Sequence, residues 1–174
     1  MSESTLFQLV FATAAPFWFL MILLPGWSWT RRIIGSPVIV VPPALIYLGL
    51  AVPMLGDLLA EVTNPTLVGV QDLVGTPAGT TLLWAHVIAF DLFVGRWIYL
   101  DARRRAIHPL VAGPVLLLTI LLGPVGFLVH LGVRAVHQNP EAQKTEREDA
   151  ESENTEHQDP EHQDADDATS SRRP

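Results

Sequence analysis

Four apolar stretches divide the chain, each near the length that a helix rising about 1.5 Å per residue needs to cross a bilayer core of about 30 Å. Residues 6–24 are broken only by Gln8 and Thr13. Pro25-Gly26 closes that run, and Trp27 and Trp29 stand where an aromatic belt would precede Arg31-Arg32. The second run, 33–55, contains Pro37, Pro42 and Pro43, whose missing N–H groups bend or break it, and it carries Tyr47 near its middle. The third, 81–100, ends at Asp101-Ala102-Arg103-Arg104-Arg105, and the fourth, 110–133, is interrupted by Gly123-Pro124-Val125-Gly126. Between the second and third runs, Asn64-Pro65 reads as N-cap and first residue of a short helix over 64–75, with Gly75 as its stop, lying on the membrane surface. The pattern predicts an all-α polytopic membrane protein with four transmembrane helices and a short interfacial helix.

Charge sharpens this picture. Of eighteen acidic residues twelve lie in 139–174, against four basic ones, so the tail is near −8 while the rest of the chain is near +1. A segment that polar cannot offset its chain entropy by burial, and 138–174 is read as a disordered acidic tail following a four-helix domain over 1–137. The loops after the first and third runs hold five arginines and the loop between the second and third holds no lysine or arginine, which places the arginines on the cytoplasmic side and both termini outside. The first run follows Glu3 without a basic leader and is longer than a signal core, so it is read as a retained helix.

The third run carries the chemistry. His86, Asp91 and Arg96 interrupt it, and an ionisable group in a bilayer requires a partner or a function. At 100° per residue Asp91 points about 140° and Arg96 about 280° away from His86. Such a helix has no clean side to offer lipid, so the third run is expected at the centre, touched all round. If the fourth run returns beside it, His130 reaches the depth of His86, and His86, Asp91 and His130 converge in the outer half. Gln8, Tyr47 and Trp84 are then candidate wall residues. Arg96 lies deeper; its expected partners are a backbone carbonyl, a helix C-terminus or Asp101, and Arg96 and Asp101 are read as structural polar residues. Fixing helix register is the rival role for the whole set.

Other classes fall away. There is no cysteine, hence no disulfide or thiolate site. Two histidines and an acid without an i, i+3 or i, i+4 pair make no recognisable metal pattern, so no cofactor is expected and a metal is only a minor alternative. No phosphate loop, Ser-His-Asp order or basic nucleic-acid face is present. Four spans without an internal repeat disfavour a transporter unless it oligomerises.

The order Pro65-x-Leu67-x-Gly69, Trp84-x-His86, Asp91-Leu92-Phe93-x-x-Arg96, Asp101 and Pro124-Val125-Gly126 with His130 resembles the abscisic-acid-deficient-four-like family. Its plant members are small plastid membrane proteins needed to form neoxanthin from violaxanthin. The resemblance implies a role in carotenoid metabolism in which an epoxide end group opens to an allene, one proton being delivered to oxygen and another withdrawn from carbon. On that reading His86 and His130 exchange the protons and Asp91 orients one of them. The partners implied are the lipid bilayer and an apolar polyene or isoprenoid. This chain has no plastid-directing segment, and its acidic tail is foreign to the plant pattern, so a retinoid or other isoprenoid substrate is equally expected. A non-catalytic protein that binds or delivers carotenoid, or assembles a pigment-synthesis complex, is the alternative.

Overall fold

The computed structural model describes residues 2–137, and the tail over 138–174 lies outside the described residues. The chain divides into a body, Met1–Arg134, and a C-terminal unit, Ala135–Pro174. All regular structure among the described residues is helical, in eight α-helices and one 3-10 turn.

Helix α1, Glu3–Leu23, starts where the Ser2 side chain accepts from the Thr5 N–H, with Glu3 at the positive end of the helix dipole. Its buried side, Val10, Ala14, Trp18 and Met21, repeats every three or four residues and lies along α6, Pro77–Arg104. The two run parallel: Phe7 stacks on Trp84 with centroids 5.2 Å apart at one end, and the Tyr99 hydroxyl donates to the Pro25 carbonyl at 2.9 Å at the other. Midway, the Trp18 ring packs against Gly95, where a Cβ would overlap it.

The second apolar run divides. Residues Ser28–Gly35 form α2, whose inward residues are Thr30 and Ile34. Ser36 turns extended, caps the Val38 N–H, and a 3-10 turn at Pro37–Val40 leads into α3, Val41–Ala51. The chain bends by 72° at this point. Pro37 accounts for the break, because the residue before a proline is driven out of the helical region. Pro42 and Pro43 do not break α3, since they occupy its first turn, where the N–H groups have no partner in any helix. The expected single span over 33–55 is thus corrected to a bent pair, Ser28–Gly35 and Pro37–Ala51, which together are apolar and long enough to be a candidate span.

Two short helices follow, α4 at Leu55–Thr63 and α5 at Leu67–Gly75, neither with a buried residue. The cap of α5 is Thr66, accepting from the Gly69 N–H, rather than Asn64, which ends α4. Helix α6 starts at a Thr76 cap and Pro77, extends four residues beyond the expected run at each end, and closes at Arg103-Arg104. It touches α1, α2, α3, α5 and α7. It is central but not enclosed, because Leu83, His86, Phe90 and Phe93 form an open stripe.

The main departure concerns the fourth run. It forms α7, Pro109–Leu121, and α8, Gly123–Val136, broken at Leu122. A straight continuation would bring residue 130 level with about residue 84 of α6. Instead the chain doubles back. Gly126 lies on the Thr119 backbone so closely that a Cβ would overlap it, Phe127 meets Trp97 at 5.5 Å, and the His130 Nε2 donates to Asp101 at 3.1 Å. Residues 110–133 are therefore a helical hairpin reaching about half the length of α6, and not a fourth crossing. Four residues beyond His130, Arg134 Nε lies 3.8 Å from the same Asp101 carboxylate.

Helices α1 and α6 are each long and apolar enough to cross a membrane, and α2 with the 3-10 turn and α3 forms a bent third candidate. The chain is thus a membrane protein whose described residues are helical in all their regular structure. Because Gly95 admits the Trp18 ring, Gly95→Val should cost about 1–3 kcal/mol by overpacking. Gly113→Val, at a position with nothing within 4 Å, should leave stability unchanged. Thermal unfolding in detergent, followed by size exclusion, checks the pair.

Candidate functional site

The expected trio of His86, Asp91 and His130 is divided. His86 and His130 lie at different depths, because His130 pairs with Asp101, fifteen residues and about 22 Å along α6 from His86. The fold-back of α8 separates them, and no helical periodicity encodes that direction.

His86 and Asp91 remain together. Both line an apolar cleft of about 720 Å³ bounded by α6, α1 and the tip of the hairpin. The cleft lies where the outer half of a fourth crossing would have run, and Ile120, Leu121, Gly123 and Pro124 form one end of it. Phe11, Val87, Phe90 and Leu121 around it are exposed, so it opens on an apolar surface. The Asp91 carboxyl sits directly against Gly123, the first residue of α8, and a Cβ there would overlap it. The positive end of the α8 dipole thus faces Asp91 and the cleft. Among the described residues neither His86 nor Asp91 has a hydrogen bond or ion pair.

His86 occupies the edge of this cleft. Its ring stacks on Phe90 at 5.8 Å and meets Tyr47 of α3 at 5.5 Å. Together with Tyr47, Val40 and Phe93 it also lines a smaller cleft of about 270 Å³ on the other side of Phe90. The candidate wall residues therefore separate. Trp84 belongs to the large cleft, held by its stack on Phe7, with its indole N–H buried and unbonded; Tyr47 belongs to the small one. Gln8 belongs to neither, and lines a third cavity of about 440 Å³ with Glu3, Ser4 and Thr80.

The second constellation is fully partnered. Asp101 accepts from Arg105 Nε at 3.0 Å and from His130 Nε2 at 3.1 Å, with Arg134 Nε 3.8 Å away. Trp97 completes it: the His130 ring meets it edge-on at 5.4 Å, and the Arg134 guanidinium lies 5.6 Å from its centre. His130 is 1% exposed. Such a site joins α8 to the end of α6. Arg96 stands apart, donating from Nε to the Ile34 carbonyl at 2.8 Å and from its terminal nitrogen to the Gly35 carbonyl. These are carbonyls at the end of α2 that the helix cannot satisfy itself. Among the described residues no group of three histidine or acidic side chains could hold a metal ion.

Sequence reasoning missed Gly123 and Phe11 as cleft residues. The signal for the first was Gly123-Pro124-Val125-Gly126, read there as a break near the far end of the fourth span. Replacing Arg96 by leucine should orphan two helix-end carbonyls and cost about 1–3 kcal/mol. Lysine, which cannot fork between them, should recover only part of the loss. Detergent-phase thermal midpoints of the two variants measure this.

Neither a curated protein nor a solved structure matches the chain. A family model described as ABA DEFICIENT 4-like matches residues 5–130, a span that holds both constellations through His130. By that match, this chain belongs to the ABA DEFICIENT 4-like family.

Proposed function

We propose that the protein crosses the membrane three times, through α1, the segment Pro37–Ala51 and α6, with the α7–α8 hairpin entering from the cytoplasmic side and returning to it. The exposed Arg31, Arg32, Arg103 and Arg104 would face the cytoplasm, and α4, α5 and the N-terminus the other side. Family membership supports a place in carotenoid metabolism.

Within that frame the protein acts on an oxygenated isoprenoid end group held in the large cleft, as an isomerase that opens an epoxide to an allene. The observation carrying this reading is that His86 and Asp91, both without a hydrogen bond or ion pair among the described residues, open into one apolar cleft whose rim lies on an exposed apolar surface. Unpartnered ionisable groups in an apolar membrane segment are costly to retain without a use. A largely apolar cavity with a few convergent polar groups suits an apolar ligand carrying one reactive function.

The chemistry needs no cofactor. A C–H bond and the epoxide C–O bond break, the allene's second double bond and an O–H bond form, and the proton count is unchanged. Negative charge develops on the epoxide oxygen, which is best placed at the floor of the cleft, where the N-terminus of α8 favours it. Asp91 then delivers the proton to oxygen, and His86, at the rim, withdraws one from carbon. His130, expected earlier as half of the proton-transfer pair, has no part in this step.

The test is expression in a host making violaxanthin, with pigments resolved by chromatography and mass spectrometry. A product of unchanged mass and altered retention is expected. His86→Ala and Asp91→Asn should each lower its formation by about 10²–10⁴-fold. Copurification of unaltered pigment would make this a binding protein instead, and no effect on pigment at all would overturn the carotenoid reading.

A further inference from the structure

The proposed reaction uses His86 and Asp91 and leaves unexplained Asp101, the Pro124-Val125-Gly126 turn and His130. These residues share one structural task. The turn sends α8 back: the Leu122 carbonyl accepts from the Val125 and Gly126 N–H groups at 2.8 and 3.1 Å, and Pro124 brings no N–H to satisfy. Gly126, without a Cβ, lets α8 close onto Thr119. At the middle of α8 the His130 imidazole is fastened to Asp101. The first half of α8 is thus tied at both ends, by its turn and by that pair, and its first residue, Gly123, is the surface against which the Asp91 carboxyl lies.

We infer that His130 is a positioning residue for the proposed reaction: through its hydrogen bond to Asp101 it holds the α7–α8 hairpin so that Gly123 sets the Asp91 carboxyl in the cleft. The seven residues from Gly123 to His130 span about 10 Å of helix. A helix transmits a shift at one end to the other with little loss, so release at Asp101 moves the floor of the cleft. Misplacing a reacting group by about 1 Å can cost about a hundredfold in rate without any contact to substrate. What the inference requires of His130 is a hydrogen bond, not a titrating proton. That separates it from a role in proton transfer.

The inference rests on the isomerase reading, and the experiment separates the two failures. The chain has no cysteine, so Leu83→Cys and Leu128→Cys, both at exposed positions, allow spin labels on α6 and α8 of the full chain in nanodiscs. Violaxanthin turnover is measured on the same preparations without labels. His130→Ala should broaden the label distance distribution and lower kcat about a hundredfold with little change in KM. His130→Gln, which can still donate to Asp101, should keep the distribution narrow and kcat within about threefold of wild type. Gly123→Ala should displace Asp91 directly, lowering kcat while the distribution stays narrow. It keeps the test decisive if His130→Ala does not fold.

His130→Gln as inactive as His130→Ala, with an unchanged distribution, would put His130 in the chemistry and overturn the inference. A fully active His130→Ala or Gly123→Ala would overturn it as well. If the wild type turns over no violaxanthin, the isomerase reading fails and the positioning role with it, while the distance distributions still report whether the pair holds the hairpin.

Discussion

A helix that turns back inside an apolar environment must satisfy the backbone groups its turn sets free, since no water is there to do so. The rest of this structure depends on how the chain does this between Leu121 and Gly126. One carbonyl, that of Leu122, takes two N–H groups, the Leu122 N–H reaches back to Leu118 at 2.7 Å, and Pro124 has no donor to place. Gly123 and Gly126 let the turn lie tight against Asp91 and Thr119. With the hairpin stopped at half depth, the space beside the outer half of α6 is left to a cleft rather than to protein.

The same turn separates the ionisable groups into two kinds. At the arginine end Asp101 is met by Arg105, His130 and Arg134, so the charge there is compensated and ties the end of α6 to α8. Removing one member of such a cluster strands the others, and this is how a buried pair acts in structure. In the cleft, His86 and Asp91 have no such compensation among the described residues. Similar residue types therefore stand in opposite settings: one histidine and acid are satisfied by each other, and the other pair has no hydrogen bond or ion pair among the described residues. Arg96 belongs with the first kind, since its fork closes the end of α2 and sets the corner from which α3 rises.

Open apolar stripes on α6, α7 and α8 are what a hydrocarbon environment permits, and they decide how the cleft is reached. Its rim of Phe11, Val87, Phe90 and Leu121 faces the surface that lipid would cover. A polyene dissolved in the bilayer needs no aqueous route to such a site. Phe90 stands between the large cleft and the small one, and His86 borders both, so a ligand in either meets the same imidazole.

Much of this protein was determined by its sequence alone. Long, mainly apolar runs make helices α1 and α6 wherever they are placed, Thr76-Pro77 starts α6, and Pro37 breaks the second run, because these are local effects of hydrophobicity, capping and the missing proline N–H. The family resemblance was equally legible in the order of polar residues within those runs. Tertiary structure alone decided which histidine meets which acid. An apolar run reads the same whether it crosses a membrane or folds back at its middle, and a Gly-Pro break is compatible with a kink or a reversal. Periodicity fixes the angle of a side chain around its own helix but carries no information on the direction in which the next helix runs. That direction took His130 away from His86 and gave it to Asp101.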